Sequence, residues 1–120
     1  MSPTARTLQE LRRRGYLADV VERFIAGARV RRDLFGIIDV LGVWDGCPGH
    51  TYLSHVLGIQ ACVTGDVSKR VAKIVAAPAT AVWLRNGLAL EVWGWGKKGP
   101  RGKRKTWTLT TRAITVAELT

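Results

Sequence analysis

The stretch DLFGIIDVLGV, residues 33–43, decides how this chain is read. Its second half, IIDVLGV (37–43), has the β-branched, apolar composition of a buried strand, yet Asp39 interrupts it. A carboxylate taken into such a strand costs on the order of several kcal/mol unless it is paired or bound to a cation. Gly36 allows a turn or bulge just ahead of it, and RVRRDLF (29–35) reads as extended. The question is therefore what Asp39 faces.

On the C-terminal side, WDGCPGHTYLSH (44–55) has the Gly, Pro and Asp density of a loop, and VLGIQACV (56–63) is a second apolar strand. Thr64 or Asp66 can cap a helix carrying Val67, Val71, Ile74 and Val75, which stops before Pro78. ATAVWLRNG (79–87) gives a short helix with Gly87 as its stop signal, LALEVWGW (88–95) is a further core strand, and TWTLTTRAI (106–114) alternates as a strand should. On the N-terminal side, Thr4 is a plausible N-cap for a first helix with Leu8 and Leu11 on its apolar edge, ending near Arg14 at Gly15. Leu17, Val20, Val21, Phe24 and Ile25 recur at helical spacing and predict a second helix over 17–25, broken by Gly27. The sum is a single α/β domain with a mixed sheet of four or five strands flanked by helices. Its central meander is followed by a helical crossover into LALEVWGW.

The chain has 120 residues, enough to bury a core without disulfides. It carries no apolar run long enough for a membrane span and no leader-like N-terminus, so we expect a cytoplasmic protein. Cys47 and His50 stand three apart, but Cys62 and His55 do not complete a zinc-ligand pattern with them. Charge is more telling. Nineteen Lys and Arg against nine Asp and Glu give a net +10, which favours an anionic partner, nucleic acid first. The cations cluster at Arg12, Arg13 and Arg14, at Arg29, Arg31 and Arg32, and through KKGPRGKRK, which holds Lys97, Lys98, Arg101, Lys103, Arg104 and Lys105. Dense clusters of one sign repel one another without a polyanion, although solvated surface charge is the plainer alternative. A membrane surface fits poorly, because no segment sets a basic face against a bulky aromatic one.

Side chains alternate across a strand, so Asp39 shares a face with Ile37, Leu41 and Val43, and Gln60 shares one with Gly58 and Cys62. A meander in the matching register sets a carboxylate, a carboxamide and a thiol side by side. Oxygen ligands on neighbouring strands are what Mg²⁺ prefers. This arrangement resembles the PD-(D/E)xK nuclease superfamily, in particular its small Holliday-junction-resolvase-like and phage-encoded members. In that family an Asp on the second core strand precedes an acid-x-Lys triplet on the third. Here Asp39 matches the Asp and Gln60-Ala61-Cys62 occupies the triplet, while VERF, GIQACV and LEVWGWGKKG add to the likeness along most of the chain.

The resemblance implies a restriction-endonuclease-like core, Mg²⁺ or Mn²⁺ as cofactor, DNA as partner, a bacterial or phage origin, and a homodimer. It also implies the site residues. Asp39, Gln60 and Glu22 would ligate the metal, Glu22 because the family often contributes a Glu from an N-terminal helix, its alternative being a surface carboxylate paired with Arg23 or Arg12. Gln60 replaces the acid and keeps a ligating oxygen, but Cys62 cannot supply the charge of the lysine it replaces. Some members take that charge from the following helix, where Lys69, Arg70 and Lys73 stand ready, Lys73 being the first choice because it can lean back over the sheet. Asp33 is either a supporting acid or the ion-pair partner of an arginine. Trp93, Trp95 and Trp107 either stack on bases or fill the core. The expected function is a metal-dependent DNA endonuclease, acting on branched or junction DNA. Its rivals are a nuclease-fold DNA-binding protein that has lost catalysis and a basic interaction protein that cuts nothing.

Overall fold

The computed structural model describes residues 1–28, 30–44 and 56–119. Arg29, Cys47, His50 and His55 lie outside the described residues, and with them the Cys47/His50 spacing. Helix α1 spans Pro3–Arg13, and Ser2 rather than Thr4 is its N-cap, accepting from the Ala5 N–H at 3.1 Å. Pro3 at the first helical position decides this, since its fixed φ and missing N–H suit that place. Gly15 at φ +96° ends the helix and turns the chain back.

After Gly15 the backbone is extended, against the helix expected over 17–25. Strand β1 (Tyr16–Val20) pairs with a later strand, and β2 (Arg23–Ile25) forms a separate hairpin with β3 (Val30–Arg32). The supposed helical stripe is not buried: Leu17 and Phe24 are both exposed. Aromatic and β-branched residues at 16, 20, 21, 24 and 25 favour extended backbone, and an edge position on the sheet was available to use it. RVRRDLF is therefore no member of the main meander; its first part is one arm of the small hairpin.

Strand β4 runs Val40–Trp44, beginning later than the expected 37–43. Strand β5 (Val56–Val63) comes next, then a 3₁₀ turn at Thr64–Asp66, helix α2 (Val67–Ala76), helix α3 (Pro78–Arg85), β6 (Ala89–Lys98), β7 (Thr106–Ala113) and a final 3₁₀ turn at Val116–Leu119. Asp66 stands at the α2 cap position without a side-chain cap bond, and Gly87 closes α3 at φ +76°. The main sheet is mixed, in the order β1-β4-β5-β6-β7. Only β5 and β6 are parallel among the described strands, and α2 with α3 supplies the crossover that a parallel pair requires. This is the α/β class with five strands.

The sheet is buried on both sides. One face receives α1: Leu11 packs with Ala18, Val40, Leu57, Ile59, Trp93 and Trp95. Thr7 accepts from Trp95 Nε1 at 2.9 Å, and the guanidinium of Arg6 lies 3.8 Å from the Trp107 ring centre. The opposite face receives α2 and α3 through Ile38, Cys62, Ile74, Trp83, Leu90, Val92 and Ile114. Close approach there requires Gly58, where a Cβ would lie 2.6 Å from Ile38 Cδ1, and Gly94, where it would lie 2.4 Å from Val67 Cγ2. Among the described residues no helix is long and apolar enough to cross a membrane.

Candidate metal centre

The centre is built by a turn. Between β3 and β4 the chain reverses over residues 33–38: Leu34 N–H donates to Ile38 O at 2.7 Å, and Gly36 N–H donates to Asp33 O at 3.0 Å. Phe35 and Gly36 both take positive φ, +57° and +75°. For a bulky residue this is a rare, costly backbone state, and it survives where the surroundings over-determine it. The effect is to fold Asp33 back towards Asp39.

Asp39 is not inside a strand but at the mouth of one, in the bend that leads into β4. Its backbone still joins the ladder on both sides. Asp39 N–H donates to Ile59 O at 3.0 Å, and Val21 N–H donates to Asp39 O at 2.9 Å. The second bond holds the end of β1 against the bend and delivers the next residue, Glu22. Glu22 therefore reaches the site from the link between β1 and β2, not from a helix. One carboxylate oxygen each from Glu22, Asp33 and Asp39 falls within 4.8 Å of the other two. Asp39 is buried and the other two half-buried.

Three carboxylates so close in a half-dry site do not ionise together at low cost. Burial pushes the Asp39 carboxyl up from 3.8 to about 7; the Ala61 N–H opposes this, the charges of Asp33 and Glu22 add to it, and Arg70 opposes it. The Ala61 N–H donates to both Asp39 oxygens, at 3.1 and 3.2 Å. That one donor does not offset the loss of water.

Gln60 is buried beside Asp39, in the register expected for it: Val40 faces Ile59, which sets Asp39 against Gln60 one step on. Its carboxamide is hydrogen-bonded at both ends. The nitrogen donates to Asp33 Oδ2 at 2.9 Å and to Ile37 O at 3.1 Å, and the oxygen accepts from Arg70 at 2.6 Å. Gln60 therefore braces Asp33 with its nitrogen and turns its oxygen away from the acids. Asp33 fills the third corner of the cluster. The acid-x-Lys template points only to β5, so the signal for Asp33, six residues before Asp39, lay in the turn at Gly36.

Arg70, in the first turns of α2, is the cation that reaches the triplet. Lys73 stands one turn further along, lining a groove of about 490 Å³ with Arg31, Arg32, Asp33, Phe35 and Gly36. Lys69 is exposed on the same helix. Cys62 is buried in the core, and burial pushes its thiol up, so it carries no charge into the site. Arg31 pairs with Glu22 at 2.8 Å. Trp93 and Trp95 are buried and unavailable to bases, while Trp107 is exposed but has Arg6 over its ring.

Three converging carboxylates, one of them buried, could hold a metal ion. No protein-family model, curated protein or solved structure matches this chain.

Proposed function

We propose that this chain is a metal-dependent endodeoxyribonuclease of the PD-(D/E)xK type. The observation that carries the reading is the convergence of Glu22, Asp33 and Asp39 within 4.8 Å where β4 and β5 meet. Two further features support it. In the meander β1-β4-β5, Asp39 opens the second strand and the Gln60-Ala61-Cys62 triplet lies on the third, as the resemblance requires. The acids also adjoin a groove lined by Arg31, Arg32 and Lys73, able to hold a phosphate backbone.

Asp39, Asp33 and Glu22 would hold Mg²⁺ or Mn²⁺, which when bound activates water and polarises a phosphodiester. The protein's own residues do the rest. Asp39 would hold the cation as a carboxylate, since a neighbouring positive charge favours its ionised form. Gln60 fixes the Asp33 carboxylate. Arg70 sits where it can offset charge growing on the attacked phosphate, the task that Cys62 cannot perform. Glu22 would complete the ligands, with its ion-pair partner Arg31 lining the groove beside it.

The test is incubation of supercoiled, linear and branched DNA with Mg²⁺ or Mn²⁺, alongside Asp39→Ala. Metal-dependent cleavage that disappears in the variant is expected. If no substrate is cut, and DNA binding is the same in both proteins, the enzyme reading fails. A second reading, a nuclease-fold DNA-binding protein without catalysis, then stands. It is favoured by the buried thiol at the lysine position and the committed oxygen of Gln60.

A further inference from the structure

β6 outruns its neighbour. Its pairing with β5 ends at Val63 and Trp95, yet its pairing with β7 continues for three more rungs, through Gly96–Thr108, Lys97–Trp107 and Lys98–Thr106. The loop of residues 99–105 lies beyond them, and every residue from 97 to 107 is exposed. The three rungs measure about 10 Å at the usual strand rise.

This ribbon is held by contacts at its base and its tip. At its base a Cβ on Gly96 would meet Thr64 Oγ1 at 2.7 Å, so the chain is packed against the turn after β5. On the other face Arg6 covers Trp107. At its tip Lys103 N–H donates to Pro100 O at 3.1 Å, Gly102 takes φ +79°, and Gly99 lies tightly against the backbone of Arg104 and Lys105. Its charge is of one sign, with no acidic residue between Glu91 and Glu118 and none of residues 97–105 in an ion pair among the described residues.

We infer that the β6–β7 ribbon is a DNA-gripping arm that enters the major groove of a duplex, with Arg101, Lys103, Arg104 and Lys105 at its tip. A two-stranded ribbon fits that groove, about 12 Å wide and about 8.5 Å deep, and the free length of this one matches the depth. Single strands are gripped by exposed aromatic platforms, and the tip has none; Trp107, at the ribbon's base, already has Arg6 and Lys97 over its ring. Duplex RNA buries its major groove too deeply for a ribbon. The arm shares the DNA partner of the proposed function but not its metal site. Gln60 lies level with Val92, and Lys98 is six residues further on, about 20 Å along the strand.

The probes are a labelled DNA duplex of about two helical turns, its single strand and the matching RNA duplex, each titrated in EDTA. Wild-type protein is compared with R101A/K103A/R104A/K105A. Preference for duplex DNA is expected. The quadruple variant should bind it at least about tenfold more weakly near 0.1 M salt, with a log–log salt slope shallower by about 3. Guanine N7 positions protected from dimethyl sulfate by the wild type should become reactive. An unchanged thermal midpoint shows that the variant is folded, and K103R/K105R, which keeps both charges, should bind like wild type. Equal affinity for single strand or RNA, unchanged binding by the quadruple variant, or unprotected N7 positions would each overturn the arm. Arm-dependent binding without cleavage in any metal removes the nuclease reading and leaves the arm standing.

Discussion

Two regions of this molecule concentrate charge of one sign, and they do so under opposite conditions. The mouth formed by Glu22, Asp33 and Asp39 gathers three acids where water is scarce. The β6–β7 ribbon gathers its cations where water is plentiful. Some charges elsewhere are paired: Glu10 accepts from both Arg13 and Arg14, which hold its carboxyl down at about 2, and Arg112 pairs with Glu118. The mouth is costly to the fold, so its presence argues for a cation that removes the cost. The ribbon costs the fold little, so its argument rests on shape. Net charge alone distinguishes neither.

The largest expected effect is at the mouth. Asp39→Asn keeps the shape and removes the buried charge, so cleavage should fall at least about a hundredfold on the proposed reading, and Mn²⁺ binding measured by calorimetry should be lost. The metal-free fold should respond in the opposite sense. Asp39 has its carboxyl raised in the folded state to about 7 from 3.8, so the native protein holds a proton that the unfolded chain releases. Its contribution to stability is therefore complete below pH 3.8 and is lost as pH rises to about 7. Urea unfolding in EDTA should show wild-type stability falling across that window relative to Asp39→Asn, by on the order of 4 kcal/mol at most. Parallel pH curves for the two proteins would mean that the mouth carries no strain, and its contrast with the ribbon would vanish.

Arg70→Ala comes next. It leaves the buried Gln60 oxygen without its donor, and denaturation should show a loss of about 1–3 kcal/mol. Lys73→Ala should cost no more than about 0.5 kcal/mol, because Lys73 is exposed. If cleavage depends on Lys73 and not on Arg70, the charge at the phosphate comes from the groove rather than from the cation that touches Gln60.

The smallest effects concern the ribbon. Arg13→Ala with Arg14→Ala removes two cations already paired with Glu10, so duplex affinity should change less than about threefold. The ribbon variant should lose affinity with a stability change within about 0.5 kcal/mol. Equal losses of affinity from the two variants would return the binding to net charge and take the arm out of it.

Much of the frame was legible in residue patterns. Gly15 and Gly87 as helix ends, the helical crossover between β5 and β6, and the β6–β7 hairpin all arise from local chemistry: positive φ at glycine, a proline stop, alternation of apolar residues. Asp39 was conspicuous because a lone acid among Ile and Val has few structural excuses, and the antiparallel pairing does bring it beside Gln60. The stretch 17–25 was not legible. Its apolar spacing suits a helix and its β-branched content suits a strand, and a sheet edge beside β4 settled the matter.

The site divides the same way. Residue order alone marks Asp39 as an anomaly and reveals the clustering of the cations. It leaves open which acids join Asp39, which cation reaches Gln60 and how far β6 runs past β5; those were settled by the folded chain. Asp33 arrives through a strained turn at Phe35, and Glu22 through one hydrogen bond from Val21 to Asp39. Composition and periodicity record each residue's local preference, whereas the meeting of side chains depends on pairing between strands distant in sequence. No local preference encodes that register.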